Sequence, residues 1–272
     1  MKNRDLIILS VPFTRNIRYL LCSNIYTKLR DEYNILIVVP KSCNTSFFRR
    51  EFSSENVDFY SIKTTDKDLS SVMRFLYLFT EGLRRFGYYY ANKGKKKNMQ
   101  YYWDNSISLY RNTFDKDGFL LRQSIARRLA CFILGVLGKN KRNWLRISNF
   151  FSSSLFDTES LYLITQKYRH AVVIQTANWG YQERFLGNFS EKYKCKSVLV
   201  PYTTDQIILN GNMISDYNKY CPQGKIEAEY LINVHGVKDQ DLCKLGMIWL
   251  RNFEKTKAYK RKGLKSTSKK VI

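Results

Sequence analysis

The sequence predicts an α/β fold, a doubly wound parallel sheet that carries a helical insertion. Two observations predict it. Runs such as "LIILSVP" (6–12) and "NILIVVP" (34–40) are apolar without alternation, which is how a strand reads when both of its faces are buried. Segments with helical spacing separate these runs, and strands separated by helices pair in parallel through crossovers. After the first run, Ile17, Leu21, Ile25 and Leu29 recur at i, i+4 and predict one helix. "VDFYSI" (57–62) reads as an edge strand. From about 68 to 168 the pattern is mainly helical with a basic loop near 91–99, longer than a plain crossover requires. "AVVIQT" (171–176), a helix through 181–193, "SVLVPY" (197–202), "NKYCP" (218–222), a helix "KIEAEYLINVHG" with a capping Gly236, and "DLCKLG" (241–246) complete the order. Residues 1–250 are expected to form one domain, mainly helical and basic over 65–168, and residues 251–272 a basic tail.

The chain is 44% hydrophobic and 15% aromatic, which excludes a disordered class lacking the apolar residues to offset chain entropy. Its best apolar stretch, "ACFILGVLG", falls well short of the roughly 20 residues of a membrane span. The opening "MKNRDLIILSVPF" lacks the cleavage pattern of a signal peptide, and a cytosolic protein is expected. Six cysteines stand without paired spacing, and two histidines, His170 and His235, exclude a site built from several histidines. Neither metal nor cofactor is expected.

Charge is unevenly placed. The chain has 46 Lys+Arg against 23 Asp+Glu, a net charge of +23. Residues 82–97 carry six basic residues and no acid, residues 118–156 seven and none, and the tail after Glu254 eight and none. Clustered cations attract an anionic membrane surface or nucleic acid; a solvated, lysine-rich surface is the bland reading. The middle segment favours a membrane: Leu121, Ile125, Leu129, Phe132, Ile133 and Val136 share one helical face, bordered by Arg127 and Arg128 and followed by Lys139, Lys141 and Arg142. A core-facing helix would show the same stripe. Nucleic acid is disfavoured because no recognisable binding motif accompanies the charge.

In doubly wound sheets ligands bind beyond the carboxyl ends of the strands. That rule marks Pro12 to Asn16, Thr176 to Gly180, and the loop from Tyr202. "VPFTRN" after the first strand contains no glycine, so a dinucleotide fingerprint is absent. In order and spacing, "VPFTRNIRYLLCSNIYTKLRDEYNILIVVP", "FFRREFSSENVDFYSI" and "QTANWGYQERFLGNFSEKYKCKSVLVPYTTDQIILNGNMISDYNKYCPQGKIEAEYLINVHGVKDQDLCKLGM" resemble the amino-terminal, Rossmann-like domain of GT-B-type glycosyltransferases of surface-polysaccharide biosynthesis. Arg15-Asn16, the Thr176 loop, the turn with Asp205 and Gly211, Asp216 and His235-Gly236 carry the resemblance; a turn tryptophan typical of that group is missing.

The resemblance implies a second domain that binds a sugar nucleotide, with transfer in the cleft between domains. The basic stretch after "KLGMIWLRNF" is too short for that half, so the sugar nucleotide is expected to enter through a second domain or chain. A lipid-linked or polymeric glycan acceptor at the cytoplasmic membrane face is the expected partner. Asp205 is the candidate base for the acceptor hydroxyl, with a turn-forming aspartate as the plain alternative. Arg15 would meet an anionic acceptor or phosphate. Asn16, Thr176, Asn178, Tyr202, Thr204 and Asn210 would contact the sugar, or merely cap helices and turns. A non-catalytic basic module on membrane or nucleic acid is the other function class.

Overall fold

The computed structural model describes residues 5–12, 16–41, 43, 45–62, 68–92, 132–203, 205–208, 211–244 and 246. Its centre is a six-stranded sheet, all parallel, in the order β3-β2-β1-β4-β5-β6. The strands are β1 (Leu6–Ser10), β2 (Asn34–Pro40), β3 (Val57–Ile62), β4 (Ala171–Gln175), β5 (Lys196–Leu199) and β6 (Lys219–Tyr220). β3 stands at the edge, as its alternating polarity predicts. Strand order reverses between β1 and β4, which pair with Leu6 opposite Ala171.

The side chains of β1 alternate between two cores, which is why the run must be apolar throughout. Ile7 and Leu9 pack with Tyr26, Ile35, Ile37 and Phe48 on one face, beneath α1 (Asn24–Glu32) and α2 (Thr45–Phe52). Leu6 and Ile8 pack with Leu36, Val173, Phe185 and Phe189 on the other, beneath α3 (Ser71–Asn92) and α7 (Tyr181–Lys192). A third cluster of Leu199, Ile207, Met213, Tyr217, Tyr230 and Leu231 fills the β5–β6 end under α8 (Asp205–Ile208) and α9 (Lys225–Asn233).

The helix predicted across Ile17 to Leu29 is broken. Residues Ile17–Leu21 form a wide turn closed by the Cys22 amide on the Ile17 carbonyl at 3.0 Å. Extended Ser23 (ψ 154°) then begins α1 afresh, its hydroxyl accepting from the Tyr26 amide. The predicted strand at 241–246 shrinks to one parallel bridge, Tyr220 with Leu242, because a short 3-10 turn at Asp239–Asp241 occupies its start. Gly236 ends α9 with φ of 68°, the left-handed cap expected of it.

The insertion comprises α3, α4 (132–138), α5 (Lys141–Leu155) and α6 (Glu159–Thr165). Leu83, Phe86, Leu134 and Trp144 form its own small core. A Cβ on Gly87 would lie 2.1 Å from the Gly138 carbonyl oxygen, so α3 and α4 touch backbone to backbone and nothing larger than glycine fits. Two buried arginines bolt the insertion to the sheet. Arg84 grips both carboxylate oxygens of Glu81 and donates to the carbonyls of Asn212 (2.8 Å) and Asn178 (3.3 Å). Arg184 donates to Thr80 (2.8 Å) and Ser148 (3.2 Å) and lies against the Tyr77 ring.

On the predicted amphipathic segment, Leu121, Ile125, Leu129, Arg127 and Arg128 lie outside the described residues, as do the side chains of Lys141 and Arg142. Of the remainder, Phe132, Ile133 and Val136 are exposed, Leu134 alone of the apolar α4 residues turns inward with Leu83, and Lys139 is exposed. Among the described residues no helix is long and apolar enough to cross a membrane.

Candidate functional site

The carboxyl ends of β1, β4, β5 and β6 surround a small pocket of about 70 Å³. Three residues expected from sequence meet there: Asn16 beyond β1, Thr176 beyond β4 and Tyr202 beyond β5. Each arrives because a buried apolar strand ends beside it and the chain must turn at the same rim. Leu20, Ile174, Val200 and Pro201 give the pocket apolar walls, and Tyr19 and Tyr202 stand nearly parallel (12°) with centroids 6.0 Å apart. Gln223, held by the Pro201 carbonyl at 2.7 Å, completes one side.

The floor is polar and ordered. Asn16 Nδ2 donates to Thr176 Oγ1 at 2.7 Å, and that hydroxyl donates to the Ser10 carbonyl at 3.2 Å. Asn16 is fully buried, yet among the described residues its Oδ1 has no hydrogen-bond partner. A buried acceptor left unmade costs free energy that an incoming donor would recover.

Beneath the floor lies a polar cluster that sequence reading passed over. Glu183, in the first turn of α7, is completely buried. Its Oε1 accepts from Ser10 Oγ at 2.9 Å and its Oε2 from Gln175 Nε2 at 2.7 Å, with the backbone amides of Thr176 and Ala177 also donating. Gln182 Nε2 donates to Ser10 Oγ and to the Val38 carbonyl. Burial pushes the Glu183 carboxyl up to about 7, and these hydrogen bonds only partly oppose the rise. Its visible trace in sequence is that two apolar strand runs end in polar residues, "LIILS" and "AVVIQ".

Asn178 is engaged elsewhere. Its Oδ1 accepts from the Ile214 amide at 2.9 Å and its own amide donates to Gln206, which ties the β4 loop to the loop after α8 and leaves it outside the pocket lining. Asp205 is the first residue of α8, but its side chain, together with Arg15, Thr204 and Asn210, lies outside the described residues. His235 is buried at the end of α9, its ring on the Ile207 carbonyl at 2.9 Å and against Tyr88, a bond that fixes α9 to α8. Among the described residues no group of three His, Cys, Asp or Glu could hold a metal.

Fold and pocket together define a Rossmann-like α/β protein with a cavity beside its topological switch point. No family model, curated protein or solved structure matches this chain.

Proposed function

We propose that this chain is the acceptor-binding half of a GT-B-type glycosyltransferase, acting on a lipid-linked or polymeric glycan at the cytoplasmic face of a membrane. The observation that carries the reading is the convergence of Asn16, Thr176 and Tyr202 on one pocket with tyrosine walls and a buried, unpartnered acceptor at its floor. Few convergent polar groups in a mainly apolar cleft is the usual make-up of a small-ligand site. Aromatic rings offer an apolar face to the carbon skeleton of a sugar, while Asn16 Oδ1 accepts from a hydroxyl. Asp205 would take the acceptor proton, and the sugar nucleotide would come from a second domain or chain.

The membrane side of the proposal rests on where apolar side chains surface. Seven of the ten large, exposed apolar residues among those described (Val72, Phe75, Phe132, Ile133, Val136, Leu137 and Phe150) belong to α3, α4 and α5. That helical layer would therefore be the part that touches lipid. The same feature favours the second reading, a non-catalytic peripheral module on anionic membrane, which keeps the layer and dispenses with the pocket.

Saturation-transfer NMR of the full chain against a panel of oligosaccharides separates the two. Binding of at least one glycan, lost in Tyr202→Ala and Asn16→Ala, supports the acceptor half. No glycan binding together with sedimentation on anionic vesicles selects the module. Tight stoichiometric binding of a sugar nucleotide by this chain alone would contradict the division of labour.

A further inference from the structure

Two cysteines distant in sequence meet at the edge of the sheet. Tyr220 and Leu242 pair as a parallel bridge, and the Cys243 amide donates to the Tyr220 carbonyl at 2.7 Å. One step further along each strand stands a cysteine, Cys221 and Cys243. Residues one step beyond a parallel bridge project to the same side, so the two cysteine side chains are neighbours across the joined segments. Both are free; Cys221 is buried and Cys243 half-buried. Cys221 also lines the pocket, with Gln223 and Gly246 to either side of the joined segments.

We infer that Cys221 and Cys243 are a redox modification site, a dithiol that closes to a disulfide under a hydroperoxide and so fixes one wall of the pocket. Cys243 is the thiol that solvent reaches. Its thiolate attacks a peroxide oxygen, the O–O bond breaks, and the departing hydroxide takes up the proton the thiol had released, giving a Cys243 sulfenic acid and water. The Cys221 sulfur then attacks the sulfenic sulfur; the S–S bond forms, the S–O bond breaks, and hydroxide leaves with the Cys221 proton as a second water. Two thiols are oxidised and one hydrogen peroxide is reduced. Burial and the neighbouring Cys243 push the Cys221 thiol up to about 12, which keeps it protonated and makes it the resolving rather than the first-attacking partner. The closed form pins the segment after the 3-10 turn onto β6, restricting the side of the pocket where Gln223 and Gly246 stand.

The test treats the native full chain with hydrogen peroxide, blocks remaining thiols with an alkylating agent, and maps the peptides. The expected product is a peptide pair linked through Cys221 and Cys243, released by dithiothreitol, and a thermal midpoint higher in the oxidised than in the reduced protein. Cys221→Ser should leave Cys243 as a sulfenic acid that dimedone captures, and Cys243→Ser should leave Cys221 alkylatable after denaturation. Recovery of both residues alkylated in the wild type, at a dose that oxidises exposed Cys22, would overturn the inference. So would a disulfide joining either one to another partner instead. No glycan enters the readout, so its failure is distinguishable from failure of the proposed acceptor site.

Discussion

Glu81 and Glu183 are the same side chain, each buried, and they titrate in opposite directions. Burial pushes Glu81 up, but Arg84, helped by Arg85 and Arg184, more than reverses this and holds it at about 2. Burial likewise raises Glu183, and there the opposing groups are Gln175, Ser10 and two backbone amides, all neutral, which leave it at about 7. Among the described residues no cation pairs with Glu183. Four neutral donors therefore do not do the work of one guanidinium, and the partner rather than the burial decides the charge state. The insertion is seated on a true ion pair, and the floor of the pocket on a carboxyl that is half-protonated near neutrality.

The largest effect is expected from removing the cation. Arg84→Ala leaves Glu81 buried without its partner and should cost about 3–5 kcal/mol in chemical denaturation at neutral pH. A loss below about 1 kcal/mol would mean that the pair contributes nothing net. The same variant should abolish the acid sensitivity due to Glu81. With its carboxyl lowered in the fold, that contribution is complete above 4.5 and fades as pH falls from 4.5 towards 2.

Glu183 has the opposite sign. Its folded value lies above the unfolded one, so its contribution is complete below 4.5 and is lost as pH rises from 4.5 through about 7. The full loss is roughly 3 kcal/mol. Glu183→Gln should flatten the fall in stability between those limits, measured as the denaturation midpoint against pH, whatever its absolute stability. An unchanged slope would place the ionisation elsewhere. The smallest effect is expected at neutral Asn16, which lies above the Glu183 cluster and carries no charge. Asn16→Ala removes one buried hydrogen bond to Thr176 and should cost about 1 kcal/mol, with no change in pH dependence. A pH-dependent cost would show that Asn16 is coupled to Glu183.

The sequence carried the centre of the sheet well because β1 and β2 are apolar almost throughout and buried on both faces, and β4 opens on four apolar residues. It misplaced the break after Leu21, since apolar spacing continues across Ser23 while the capping hydroxyl that restarts the helix has no period. It overestimated 241–246, where an edge position offers one neighbour and Asp239, Gln240 and Asp241 favour a turn. Asn16, Thr176 and Tyr202 were legible from the rule that strand ends gather ligands. Glu183 and Arg84 were not, because their meaning lies in partners such as Ser10 and Asn212 that only the fold brings near. Cys221 and Cys243 were hidden for the same reason.

The pairing of Leu6 with Ala171 across the sheet centre has a consequence for how the chain is made. β1, β2 and β3 are near neighbours in sequence and can assemble while the rest is still being synthesised. β4 emerges only after the whole insertion, and contacts between such distant segments are slow to form. Until then one edge of β1 is open, and the Ser10 hydroxyl waits without Glu183. The seam that has to wait for the whole insertion is the one beside which the protein keeps its pocket.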